Sequence, residues 1–253
     1  MRFLAKKELG QHFLVDENIL GVIGRLADLQ PTDVVLEVGP GLGVLTRYLA
    51  ARVAHVHAVE LDRSLEPRLR DIDRTTLHWQ DALALDPAAL APPASKLVSN
   101  LPYNVATPLV VESLDRAPSV GSWCVMVQRE VADRFFAQPG TKAYGGVSVL
   151  VQLVAERTGF HAVSREVFRP RPNVESALVA FRRREPGVPA GVKRVVEAAF
   201  AHRRKTLANS LALSGVVTRS VAAEAVATIG RDTNVRAEEL APQEFVALAA
   251  ALP

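Results

Sequence analysis

Apolar residues along this chain fall into two rhythms that alternate as far as Phe135: helical stripes and short, nearly unbroken runs. Ile19, Leu20, Ile23 and Leu26 share one helical face after the candidate N-cap Asp16, and Pro31 stops that helix beyond Leu29. Val34–Val38 then reads as a buried parallel strand, and Val44–Ala50 as a helix. Val56–Glu60 and Thr76–Gln80 repeat the strand pattern, and Lys96-Leu97-Val98 leads a fourth strand into Asn100. Thr107-Pro108 opens a helix bearing Leu109, Val110, Val111 and Leu114, with the proline suited to its first position. Trp123–Val127 is a fifth strand, followed by a helix over Gln128–Phe135. Strand and helix in strict alternation predict a doubly wound α/β sheet, which binds ligands outside the carboxyl ends of its strands.

Beyond Phe135 the pattern changes. A loop at Lys142–Gly146 precedes an apolar run, Val147–Val154, and a strand is expected within Glu156–Val163. Val167–Ser176, with Pro170 and Pro172, is a stiff, extended, basic loop leading into a strand at Ala177–Phe181. Pro186–Gly191 is the clearest linker in the chain. After it come helical patterns: a stripe of Val195, Val196, Ala199 and Phe200, then Val221–Ile229 and Pro242–Leu252. The expected division is a sheet domain over 1–185 and a small C-terminal helical domain over 186–253.

Four of the predicted strands end in chemistry. Gly39-Pro40-Gly41-Leu42-Gly43 links the first to its helix, and glycine there lets a ligand approach the backbone closely. The dinucleotide fingerprint needs glycine where Val44 stands, so the loop suits a nucleoside with a compact tail better than a pyrophosphate; a tight turn with no ligand is the plain alternative. Glu60 ends the second strand, where a carboxylate can accept both ribose hydroxyls, and Asp81 follows the third, where it can accept from an exocyclic adenine amine. The fourth ends in Asn100-Leu101-Pro102-Tyr103. Pro102 keeps Leu101 extended, so backbone carbonyls and the Asn100 amide can converge on one spot beside the Tyr103 ring, an arrangement suited to a flat, amine-bearing base. Alone, the tetrapeptide reads more readily as an ordinary turn. Phe168 is a candidate second aromatic platform or a core residue. His78 and Trp79 have no metal-ligand company, and no metal site is expected.

Charge sharpens this picture. The net charge is only +3, but Arg157–Lys205 holds twelve Lys/Arg against four acids, a local balance of +8, whereas Thr206–Pro253 holds three against five. A concentration of that size is the footprint of a polyanionic partner. No apolar run reaches the roughly 18 residues of a membrane span, and the N-terminus carries no signal-peptide core. The single cysteine, Cys124, permits no internal disulfide, so a cytoplasmic protein is the simplest expectation.

Taken in order, Leu9–Leu14, Glu37–Thr46, Val59–Asp62, Gln80–Ala82, Asn100–Asn104, Met126–Arg134, Phe168–Ser176 and Phe200–Leu211 resemble the small-subunit ribosomal RNA adenine dimethyltransferases, the KsgA/RsmA family. His12 departs from that family's usual asparagine. The resemblance implies a Rossmann-like methyltransferase sheet and S-adenosyl-L-methionine as cofactor. It also implies dimethylation at N6 of two adjacent adenosines in the 3′-terminal hairpin loop of small-subunit rRNA, on an immature small subunit, by an enzyme expected to be monomeric. Carried over by position, Asn100, Leu101, Pro102 and Tyr103 are catalytic. His12, Leu14, Gly39, Gly41, Glu60, Asp81 and Asn100 hold the cofactor, and Tyr103 and Phe168 stack the target base. Lys6, Lys7, Arg169, Arg171, Arg203, Arg204 and Lys205 meet RNA. The rival readings are a large-subunit rRNA adenine methyltransferase of the macrolide-resistance type and a non-catalytic ribosome-assembly factor.

Overall fold

The structure, a computed structural model, describes residues 11–253; the expected RNA contacts Lys6 and Lys7 lie outside the described residues. Its strands are β1 (Phe13–Leu14), β2 (Val34–Val38), β3 (His55–Glu60), β4 (Thr75–Trp79), β5 (Lys96–Asn100), β6 (Ser122–Gln128), β7 (Ala155–Val163), β8 (Phe168–Arg169) and β9 (Ser176–Arg183). Its α-helices are α1 (Asn18–Leu26), α2 (Val44–Ala50), α3 (Glu66–Leu69), α4 (Ala106–Arg116), α5 (Arg129–Phe135), α6 (Gly146–Val154), α7 (Val192–Ala201), α8 (Leu207–Leu213), α9 (Arg219–Thr228) and α10 (Pro242–Ala251). No helix among the described residues is long and apolar enough to cross a membrane.

Seven strands form one sheet in the order β4-β3-β2-β5-β6-β9-β7. Neighbours from β4 to β6 run parallel, and β9 lies antiparallel to β6. The chain builds outward from β2 to β4, then returns to lay β5 on the other side of β2. That reversal puts the crevice of a doubly wound sheet between the carboxyl ends of β2 and β5. The expected α/β class is therefore met, with the antiparallel β9 and then β7 added beyond the parallel strands. A core of Val35, Val56, Ala58, Val98, Cys124, Met126 and Leu178 from the sheet packs with Ile19, Leu20 and Ile23 of α1 and Leu45 and Leu49 of α2. Cys124 is buried there, and burial pushes its thiol up to about 12, so it is a packing residue and no nucleophile.

The crevice has a specific origin. β2 and β5 pair as far as Leu36 opposite Leu97. Beyond that, the buried Ser99 hydroxyl spans the gap, donating to the Val38 carbonyl at 2.5 Å and accepting from the Val38 N–H at 3.3 Å. A side chain replaces a backbone rung, so the strands separate without leaving polar groups unpaired.

The chain divides into two compact units. One runs to Ala132 and takes in Glu156–Arg183; the other comprises Asp133–Ala155 and Arg184–Pro253. The helical unit therefore starts from more than the segment after residue 185. α6 comes from the apolar run at Val147–Val154, and it packs with α7 and α10. Within this unit Phe200 stacks on Phe245 and meets the Tyr144 ring edge-on, and the buried Tyr144 hydroxyl donates to the Leu240 carbonyl at 2.7 Å. The linker at 186–191 separates β9 from α7 as expected.

Replacing Ser99 by alanine strips two buried backbone groups of their partner, at a cost of about 1–3 kcal/mol. Thermal unfolding of Ser99→Ala should show a melting temperature several degrees below wild type, and an unchanged one would mean that the hydroxyl does not hold the crevice open.

Candidate active site

A cavity of about 250 Å³ opens at the crevice, lined by Gln11–Leu14, Glu37–Leu42, Glu60, Leu61, Gln80–Ala82 and Asn100–Val105, among others. It brings together all four strand-end features read from the sequence. Gly39 and Gly41 both have left-handed backbone (φ 73° and 57°). A Cβ on Gly41 would lie 2.9 Å from the Phe13 ring, and one on Gly39 would press on the Pro102 ring at 3.2 Å. Side chains are thus excluded at both positions by conformation and by space.

Glu60 is nearly buried and already engaged. Its Oε1 accepts from the Leu61 and Asp62 N–H groups at 2.9 Å each, and its Oε2 from the Gly41 N–H at 3.2 Å. Burial raises its pKa, and these backbone bonds work in the opposite direction. The carboxylate ties the end of β3 to the glycine loop while Oε2 keeps a lone pair for a ligand. Asp81 is exposed at the rim, its Oδ1 accepting from the Leu83 N–H at 2.9 Å.

The Asn100 segment is fixed from several sides. The Leu101 N–H donates to the Met126 carbonyl at 3.0 Å, and the Val105 N–H takes the Pro102 carbonyl at 3.1 Å. The Tyr103 hydroxyl shares a 2.6 Å bond with Ser176 Oγ of β9, and burial raises its pKa. Across the cavity lies the segment carrying β1. It pairs with β8, Phe13 opposite Arg169 and Leu14 opposite Phe168. Gln11 Nε2 donates to Asp62 Oδ2 at 3.2 Å, the His12 ring Nδ1–H to the Pro170 carbonyl at 2.8 Å, and Asn100 Nδ2 to the His12 carbonyl at 3.3 Å. With its amide nitrogen held by that carbonyl, Asn100 turns its Oδ1 the other way.

Two expectations change here. Phe168 is fully buried (0% exposed) in the sheet core opposite Leu14, so no face of its ring is open to a base. The ring stacked on Tyr103 is that of His12, with centroids 5.6 Å apart and planes at 30°. The expected RNA contacts are also partly committed. Arg171 pairs with Glu166 at 2.8 Å, and Arg169 bonds to the Phe168 carbonyl at 2.8 Å. In the helical unit, Arg203 reaches the Tyr144 carbonyl at 3.1 Å and Glu238 at 3.4 Å, beside the exposed Arg204 and Lys205.

One residue escaped the sequence reading altogether. Glu37 lines the cavity yet is only 1% exposed, and among the described residues its Oε2 has no hydrogen-bond partner. Burial pushes its pKa up to about 8; the nearby Thr46 hydroxyl opposes this slightly, and the Glu60 carboxylate adds to it. The available signal was a lone acid inside an apolar strand. Folded, Glu37 keeps a proton that the unfolded chain loses near its ordinary value of 4.5. Its contribution to stability is therefore full below that value and falls as pH rises to about 8. Melting temperatures measured across that range should show Glu37→Gln gaining on wild type towards the alkaline end, and a constant difference would mean that Glu37 does not titrate there.

Comparison with known proteins agrees with this geometry. The family described as "Ribosomal RNA adenine dimethylase" matches residues 2–251. Ribosomal RNA small subunit methyltransferase A of Rubrobacter xylanophilus is 47% identical, over 96% of this chain and 93% of its own. The protein of that name from Lactiplantibacillus plantarum is 42% identical, over 98% and 90%. Among solved structures, a dimethyladenosine transferase from Plasmodium falciparum superposes with a TM-score of 0.77 at 20% identity (94% and 96% covered), a likeness of fold. The 23S rRNA methyltransferase ErmE superposes with a TM-score of 0.65 at 28% identity (95% and 99% covered). The chain belongs to the ribosomal RNA adenine dimethylase family.

Proposed function

We propose that this protein transfers methyl groups from S-adenosyl-L-methionine to N6 of two adjacent adenosines in the 3′-terminal hairpin loop of small-subunit rRNA. It acts as a monomer, in the cytoplasm, on a maturing small subunit. The observation that carries the reading is the convergence of Asn100 with three carboxyl groups around one cavity at the sheet's switch point. The residues fit the cofactor. The glycine loop offers backbone with no side chain in the way, Glu60 an acceptor for ribose hydroxyls, Asp81 one for the adenine amine, and Leu14 an apolar cover. The Glu37 carboxyl, without a partner for its Oε2, offers an acceptor for an ammonium group.

When bound, S-adenosylmethionine supplies an electrophilic methyl on sulfur. This chain's residues prepare the nucleophile. An exocyclic amine is weak because its lone pair is delocalised into the ring. Asn100 Oδ1 and the Leu101 carbonyl accept its two N–H bonds; the Pro102 carbonyl is already taken by Val105. Two acceptors on one side favour a pyramidal nitrogen, whose lone pair then lies in line for transfer. The methylated nitrogen would be acidic enough to lose its proton to water, so no strong base is required of the chain. Tyr103, anchored through Ser176, stacks the base once it has left its neighbours.

Identity of 42–47% with small-subunit enzymes, against 28% with ErmE, favours the small-subunit target. The test is labelled methyl transfer to unmodified small subunits with both rRNAs mapped. Wild type should modify two adjacent adenosines of the small-subunit RNA, and modification of the large-subunit RNA alone would overturn the assignment. Asn100→Ala should abolish transfer while weakening cofactor binding far less; near-normal methylation would sink the mechanism. RNA affinity should fall steeply with salt. Arg204→Ala and Lys205→Ala should each reduce the slope of log K against log salt by about one, and an unchanged slope would remove them from the interface.

A further inference from the structure

Asp81 stands where the sheet gives it least help. β4 is an edge strand whose last rung to β3 is Trp79 opposite Glu60, followed by one bond from the Gln80 N–H to the Glu60 carbonyl at 3.1 Å. One residue later the chain leaves the ladder. The turn that follows closes on Asp81 itself. The Ala84 and Leu85 N–H groups donate to its carbonyl at 3.0 and 3.2 Å, and the Leu83 N–H to its Oδ1 at 2.9 Å. Those bonds shape the turn without anchoring it to the rest of the fold.

The anchor comes from α4. Arg116, in its last turn, donates from one terminal nitrogen to the Leu83 carbonyl at 3.0 Å and from the other to the Leu85 carbonyl at 2.8 Å. A cation in the last turn of a helix ordinarily serves that helix's own carbonyls. Here both nitrogens are spent on another segment, and Arg116 pairs with no acid among the described residues. A planar fork across two carbonyls fixes position and orientation together, which a single ammonium cannot do. α4 begins directly after the Asn100 segment, where the Val105 N–H donates to the Pro102 carbonyl. One helix, about 16 Å long, thus adjoins the Asn100 segment at its start and braces the Asp81 turn at its end.

We propose that Arg116 is a positioning residue for the cofactor's adenine: through the Leu83 and Leu85 carbonyls it holds the turn that aims the Asp81 carboxylate at the exocyclic amine. This rests on the reading of Asp81 as the acceptor for that amine. Asp81 is exposed at the rim, where a carboxylate on a loose turn must be ordered by the ligand itself. A held turn has met that cost in folding. Arg116 does not line the cavity, so its effect passes through the turn alone.

The test is calorimetric binding of S-adenosylhomocysteine and S-inosylhomocysteine to the full-length protein without RNA. The two differ at the base edge, where inosine carries a carbonyl in place of the exocyclic amine, so the ratio of their Kd values reports the grip of Asp81. Wild type should prefer the adenosyl compound, and Asp81→Ala should lose most of that preference. Arg116→Ala should cut the preference about fivefold, the worth of one well-placed hydrogen bond. Arg116→Lys keeps the charge without the fork and should fall between Arg116→Ala and wild type. In the double variant Arg116→Ala/Asp81→Ala the preference should equal that of Asp81→Ala alone, because the arginine acts only through the acid. Thermal unfolding of each variant separates positioning from stability. A merely structural arginine would lower the melting temperature and leave the ratio at its wild-type value. That result, full rescue by lysine, or a further loss in the double variant would each overturn the proposal. If Asp81→Ala loses the preference and Arg116→Ala does not, only the positioning role falls. If Asp81→Ala itself keeps the preference, another group accepts the amine and the reading beneath the proposal falls with it.

Discussion

The site depends on a hydroxyl standing where a backbone rung would be. In a regular parallel sheet β2 and β5 would stay paired to their carboxyl ends, and the glycine loop would be pressed against the Asn100 segment. Ser99 lets them diverge while satisfying both polar groups of Val38, so the crevice costs the sheet little. The glycine loop, Glu60 and the Asn100 segment hang from those two strand ends and from β3 beside them, and Gln80–Ala82 after β4 and the β1 segment complete the lining. An apolar residue at this position would close the crevice or leave buried polar groups bare, and either would matter more than any single contact to a ligand.

Around that opening, side chains are fixed by bonds made before a ligand arrives. Glu60 holds three backbone N–H groups, Asn100 is oriented by the His12 carbonyl, and Tyr103 is pinned through Ser176. Preorganisation of this kind moves the entropic cost of ordering a site into folding. Glu37 is the exception: a buried carboxyl with an unpartnered oxygen, held towards its neutral form. Such a group is poorly served by the protein alone and well served by a bound cation.

Much of this was legible in the sequence because strand ends announce themselves. Glu60 follows an apolar run, Asp81 follows another, and Asn100 and Gly39 sit where runs give way to polar or glycine residues, so their common position could be inferred from order alone. What stayed hidden was set by packing. β1 and β8 have two residues each and pair across more than half the chain, which no local periodicity can announce. The valine-rich run of α6 fits a strand as well as a helix, and tertiary contacts decide. α8 is short and carries Asn209 and Ser210, so no apolar stripe marked it. The sequence could name Phe168 as core or platform but not choose, since the choice depends on Leu14 lying opposite it.

The helical unit is assembled from two stretches that the sheet strands β7, β8 and β9 interrupt. α6 emerges during synthesis well before its partners α7 and α10, with Val149, Leu150, Val151 and Val154 awaiting cover. The Pro186–Gly191 linker looks like a natural place to cut, yet a fragment ending there would carry that apolar helix without α7 and α10, the helices it packs on. The C-terminal helices are therefore not a detachable module. Gene fusions, truncations and domain exchanges that respect the linker would still break the unit, and a workable boundary must follow the packing instead of the chain.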